Sequence, residues 1–233
     1  MVHATAIEKD KEVEKMKRAA MRTFATLAAS FLFAIASLPT LEAEPRAPVI
    51  VALGDSLTAG LGLPQDQSFP AQLEAALKAR GHVVTVIDAG VSGDTAAAGL
   101  KRLDWALPDN ASAVIIELGA NDALQGLPPE GTKAALAKII GRAQAKGLPV
   151  LLTGMEAPRN MGKDYVEEFA AIFPDLAARY DVLLYPFFLA GVALDGELMQ
   201  ADGIHPNGKG VTRIVEGILP KVEELLAQIE AKD

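Results

Sequence analysis

The sequence predicts an α/β domain of three layers, with a parallel sheet between two layers of helices. Two observations carry this. From residue 49 onward, short apolar runs alternate with amphipathic stretches of helical length. The runs are predominantly apolar rather than strictly alternating, as strands buried on both faces require.

The elements follow in order. Residues 49–53 form the first strand, which ends at Gly54. Ser68 can cap a helix that runs to Arg80, with Gly81 as its stop. Residues 83–87 form the second strand. Thr95 or a neighbour opens a helix through Trp105, and Pro108 stops it. Residues 114–118 form the third strand. Pro129 and Glu130 open a helix that ends at Lys146-Gly147. Residues 150–153 form the fourth strand. Residues 164–180 are helical in period, and Pro174 inside them should break or kink that helix. Residues 182–185 form a fifth, short strand, and the last helix runs from Gly210 to Ala227. No repeat or second folded domain is visible.

The chain has 233 residues, half of them hydrophobic, and a formal net charge of -8. An acidic chain does not present the Lys/Arg surface that nucleic acid rewards. There is no cysteine, which excludes disulfides, thiolate metal sites and a Cys nucleophile.

Residues 1–43 read as an N-terminal extension and signal peptide. Lys15, Lys17, Arg18 and Arg22 precede an apolar run over residues 24–38. A run of about fifteen residues suits a signal-peptide core and is short for a spanning helix. Pro39 and small or polar residues follow, and cleavage is expected near Ala43, with Leu41 at the −3 position. The alternatives are an uncleaved anchor or a first helix. The charged stretch 8–17 is unusual in a leader and makes Met16 or Met21 an alternative start. Without a lipobox cysteine, no lipid anchor is expected. Residues 44–233 are then the mature domain, periplasmic or secreted, with no stable membrane anchor.

Four blocks could carry chemistry: Gly54-Asp55-Ser56-Leu57, Ser92-Gly93-Asp94, Gly119-Ala120-Asn121-Asp122 and Asp202-Gly203-Ile204-His205-Pro206. The first three lie at the carboxyl ends of expected strands, where open α/β sheets bind ligands. Ser56 at an exposed bend is a candidate nucleophile, although most serines there merely cap or turn. Ser92 competes with it. Neither fits Gly-x-Ser-x-Gly, because Thr58 and Asp94 stand in the last place. His205 follows Asp202 by three residues in a Gly/Pro turn, where the carboxylate could fix the imidazole tautomer. The same spacing equally fits a plain turn before an Asn207 cap. His3 lies in or before the leader, and His82 reads as an exposed turn residue. The backbone N–H groups of Ser56 and Gly93 and the Asn121 amide could hold an oxyanion. No metal-ligand cluster is evident with two mature histidines and no cysteine. Gly60-Leu61-Gly62 lacks the third glycine of a dinucleotide fingerprint. No cofactor is expected.

In that order, the four blocks resemble those of the SGNH (GDSL-type) hydrolases, in particular the bacterial periplasmic thioesterase/lysophospholipase/arylesterase branch. Residues 152–155, Ala157-Pro158 and Phe187-Phe188 extend the likeness, which covers residues 48–225. The resemblance implies a flavodoxin-like fold and a serine esterase. Ser56 would be its nucleophile, Asp202 and His205 its partners, and Ser56, Gly93 and Asn121 its oxyanion donors. The expected partners are small-molecule esters: aryl or short to medium acyl esters, thioesters and lysophospholipids. Leu124, Leu127, Pro158 and Phe187 are the candidate substrate contacts. The loop after Asn121 moves over the acyl chain in that branch, although its leucines could equally pack inward. A carbohydrate deacetylase of the same family and a non-catalytic binding module are the alternatives.

Overall fold

The computed structural model describes Lys9, residues 11–18, Met21 and residues 47–231. The expected leader core, its cleavage site near Ala43, and His3 lie outside the described residues. The chain divides into two units, Met1–Arg46 and Ala47–Asp233. In the first, residues 11–18 are helical with exposed side chains. Among the described residues, no helix is long and apolar enough to cross a membrane.

The second unit is built on five parallel strands: β1 (Val49–Gly54), β2 (Thr85–Gly90), β3 (Ala113–Glu117), β4 (Val150–Thr153) and β5 (Leu183–Tyr185). Their order across the sheet is β2-β1-β3-β4-β5. The central strands β3 and β4 are buried along their whole length, which is why their sequences are apolar up to the terminal Glu117 and Thr153. The edge strands β2 and β5 are only partly buried.

The helices are α1 (Ser56–Ala59), α2 (Phe69–Ala79), α3 (Ala96–Lys101), α4 (Leu103–Ala106), α5 (Ala120–Leu124), α6 (Pro129–Ala145), α7 (Lys163–Tyr180) and α8 (Gly208–Glu230). In one layer α2 packs on α8. In the other, α6 packs on both α3 and α7. The expected three-layer α/β/α architecture is therefore present.

Four expectations on elements are corrected. The second strand starts at Thr85 rather than 83, because Val83 is exposed before the edge strand forms, and it runs on through Gly90. The helix expected over Thr95–Trp105 is interrupted at Arg102, whose side chain turns inward to bind Gly54 O and Asp94. Pro174 does not break α7. It and Ala170 lie on the exposed face, so the carbonyl freed by the missing N–H faces water. The segment after Gly54, read as an exposed bend, winds into the short, buried helix α1, and the segment after Gly119 winds into α5.

Chain order moves outward from β1 to β2 and then returns past β1 to β3. That reversal leaves a crevice at the carboxyl ends of β1 and β3, where such sheets place ligands. Ser56 follows β1, Asn121 follows β3 and Gly93 follows β2.

Candidate active site

Local chemistry at the end of β1 sets Ser56 in place. Gly54 passes so close to its neighbours that a Cβ there would lie 2.0 Å from Thr58 Oγ1 and 2.7 Å from Glu117 Oε2. Asp55 then caps α1, its Oδ1 accepting the Leu57 backbone N–H at 2.9 Å. Ser56 opens that helix, 8% exposed.

The exit of β2 forms the neighbouring wall. The Val91 N–H donates to Gly54 O at 3.0 Å, and the Asp94 N–H closes the turn on Val91 O at 3.1 Å. Gly93 sits in this turn at φ 88, a conformation that favours glycine. The Arg102 side chain ties the two walls together. Its Nε donates to Asp94 Oδ2 and its Nη2 to Gly54 O at 2.9 Å.

Beyond β3, α5 supplies Asn121 and Asp122. Asn121 Nδ2 donates to Asp55 Oδ2 and to Asp94 O, each at 3.0 Å. Asp122 is buried and accepts from the Ala96 N–H at 2.8 Å and from Thr132 Oγ1 at 2.9 Å. The nucleophile and glycine blocks therefore converge on the Asn-Asp block through specific hydrogen bonds.

The turn before α8 brings the histidine. Asp202 Oδ1 accepts the backbone N–H groups of Ile204 at 2.9 Å and His205 at 3.0 Å. Asp202 Oδ2 lies 2.7 Å from His205 Nδ1, and His205 Nε2 lies 2.9 Å from Ser56 Oγ. Gln200 fastens this turn to the segment after α1: its Nε2 donates to Leu61 O at 2.7 Å and to Pro206 O at 3.0 Å. Asn207 does cap α8, its Oδ1 accepting from Lys209 and Gly210. The cap and the Asp–His pair thus coexist.

The electrostatics follow the contacts. The His205 imidazole, then the backbone N–H groups of His205 and Ile204, lower Asp202 to about 2. Burial raises Asp55 to about 6 against the pull of Leu57 N–H, Glu117 and Asn121. Burial, then the charge of Asp55, push Glu117 well above the usual carboxylate range.

Of the expected residues, Ser56, Asp202 and His205 form one hydrogen-bonded line. The N–H groups of Ser56 and Gly93 make no hydrogen bond within the described residues. Ser92 is exposed and bonded to no histidine among them. His82 lies away from this line, 3.5 Å from Glu223. Leu124 is half exposed and Leu127 half buried, both just beyond Asn121. Pro158 and Phe187 lie past the carboxyl ends of β4 and β5, half buried, and no hydrogen bond ties them to the Ser56 line. Glu117, Thr58, Arg102 and Gln200 are contributors that sequence reading missed. Only Glu117 carried a signal, a carboxyl within an otherwise apolar expected strand. No group of three or more His, Asp or Glu residues among the described ones could hold a metal ion.

An acid, a base and a hydroxyl in line, with free donors beside them, can perform nucleophilic acyl transfer. Comparison with known proteins agrees. Residues 52–213 match the model of the GDSL-like Lipase/Acylhydrolase family. "Esterase TesA" of Pseudomonas aeruginosa is 39% identical over 191 residues, spanning 82% of this chain and 95% of that protein. "Thioesterase 1/protease 1/lysophospholipase L1" of Escherichia coli K12 is 36% identical over 197 residues, spanning 84% and 92%. Among solved structures, AlinE4, described as an SGNH-hydrolase family esterase, is 44% identical with a TM-score of 0.66. That match covers 78% of this chain and 98% of AlinE4.

Proposed function

The chain belongs to the GDSL-like lipase/acylhydrolase family, and on that premise we propose that it hydrolyses carboxylic esters through Ser56, His205 and Asp202. It is a carboxylic ester hydrolase, in line with relatives named esterase and thioesterase/lysophospholipase, and its substrates are small-molecule esters. The observation that carries the residue assignment is the 2.9 Å approach of His205 Nε2 to Ser56 Oγ, with Asp202 at 2.7 Å behind the imidazole.

His205 keeps its Nδ1–H on Asp202, so Nε2 is free to accept the Ser56 proton. Ser56 Oγ attacks the acyl carbonyl and the carbonyl oxygen becomes an anion. The N–H groups of Ser56 and Gly93 hold that anion. The Asn121 N–H that rests on the Asp94 carbonyl turns to the stronger, charged acceptor. His205 then gives its proton to the leaving alcohol or thiol. A water, deprotonated by His205, releases the acid and restores Ser56.

Within this reading the substrates are aryl and short to medium acyl esters, with thioesters and lysophospholipids included. Leu124, Leu127, Pro158 and Phe187 supply apolar contact. The basic and apolar pattern of residues 1–43 supports export of the remainder to the periplasm or beyond. Rates on p-nitrophenyl esters from acetate to decanoate, on an acyl-CoA and on an acetylated oligosaccharide test the reading. Hydrolysis of aryl and acyl esters supports it. Turnover confined to the oligosaccharide replaces it with a deacetylase. Mass spectrometry of the exported protein should find a terminus near Glu44, and an intact Met1 or Met21 contradicts the leader.

A further inference from the structure

The triad reading leaves one buried acid unused. Glu117 is 1% exposed at the end of β3. Its Oε2 accepts from Thr58 Oγ1 at 2.8 Å and from the Asp55 backbone N–H at 3.3 Å. Its Oε1 is buried with no hydrogen-bond partner. The Asp55 carboxyl, wholly buried as well, faces it from the turn between β1 and α1.

Two facing carboxyls out of contact with water do not both ionise, because each charge loses its hydration and repels the other. No cation among the described residues acts on Glu117. From α1 the group facing Glu117 is Thr58, and from α5 Asn121 faces the Asp55 carboxyl; both are neutral. The charge of His205 acts on Asp55 rather than on Glu117, and the Arg102 guanidinium is bound to Asp94 and Gly54 O, with its buried Nη1 unpartnered. The proton of the acid itself is what remains to bridge the pair.

We propose that Glu117 is a positioning residue for the oxyanion hole: its neutral carboxyl donates a proton to the Asp55 carboxylate, and the Asp55 Oδ2 so fixed holds the Asn121 amide. The inference rests on reading Asn121 as an oxyanion donor. Asp55 then has each contact spoken for, with Leu57 N–H on Oδ1, Asn121 on Oδ2 and Glu117 across the pair. Burial acts most strongly on Glu117, so in neutral solution the proton stays there and the charge sits on Asp55. The missing Cβ of Gly54 is what admits Thr58 and Glu117 side by side.

Infrared spectroscopy of the full-length protein at pH 8 tests the proton directly. One carboxylic-acid C=O band should vanish in Glu117→Gln and persist in Ser56→Ala. An unchanged spectrum in Glu117→Gln overturns the proposal. Kinetics test the role. Glu117→Leu should lower kcat by about tenfold with KM little changed, because the donor is misplaced rather than deleted. Glu117→Gln keeps an N–H toward Asp55 and should recover most of that loss. Equal kcat in the Leu and Gln variants overturns the positioning role. If Glu117→Leu does not fold, Glu117→Asp replaces it, since the shorter acid cannot reach Asp55 and should show the same loss. Fluorophosphonate labelling of Ser56 in each variant separates this test from the functional reading. Unlabelled wild-type Ser56 defeats that reading while the infrared band still reports on Glu117.

Discussion

Asp202 holds His205 at two points. Its Oδ2 lies 2.7 Å from the ring Nδ1, and its Oδ1 accepts the backbone N–H of the same residue at 3.0 Å. The carboxylate therefore fixes both where the imidazole stands and which nitrogen carries its proton.

Asp202→Asn should abolish most activity. An Asn amide N–H facing Nδ1 forces the ring proton onto Nε2, where the base is needed, and kcat should fall by about 10²–10⁴. The native carboxyl sits at about 2 against an ordinary 3.8. Its folded value is depressed, so its contribution to stability is present above 3.8 and is lost as pH falls through about 2. Urea titrations should place the variant below the parent at neutral pH, with the gap closing at the acid extreme. A gap independent of pH contradicts this.

Asp55 has the opposite sign. Its folded value is raised from 3.8 to about 6, so the folded state binds the proton more tightly. Stability should fall as pH rises across that window. Asp55→Asn should flatten the fall between about pH 4 and 6 in denaturant titrations. Parallel curves for parent and variant contradict it.

Gly54→Ala should disturb the site through packing alone. The added Cβ would meet Thr58 and Glu117 well inside contact distance. Overpacking of this kind costs about 1–3 kcal/mol, read as a lowered Tm. An unchanged Tm would mean that Thr58 and Glu117 move aside freely.

Leu124→Ala and Leu127→Ala should shorten the preferred acyl chain while sparing acetate esters. Leu124 is 50% exposed, and apolar contact with an acyl chain is worth about 0.8 kcal/mol per buried CH₂. Leu127 is anchored through its carbonyl, which accepts the Tyr165 hydroxyl at 2.9 Å, so replacing its side chain leaves the backbone held. Equal loss on acetate and octanoate assigns these leucines to the fold.

Much of this was legible in the sequence. Residues 49–53, 114–118 and 150–153 are mostly apolar because β1, β3 and β4 are covered on both faces, and the structure keeps them within one residue. The edge strand β2 shifted because Val83 is exposed there, and an edge strand need not be uniformly apolar. Ser56, Asp202 and His205 could be named from their blocks. The bonds that set their distances could not. Arg102 lies far from them in sequence and ends a helix, and only the fold turns it toward Gly54. Glu117 is one polar residue in an expected strand until Thr58 and Asp55 are seen to close over it.

The central claim is that Ser56 is the covalent nucleophile. Fluorophosphonate labelling followed by peptide mass spectrometry tests it most directly. The wild-type protein should carry the label on Ser56, and a folded Ser56→Ala protein should carry none. Full labelling of Ser56→Ala, or a label on Ser92 in the wild type, would contradict the account.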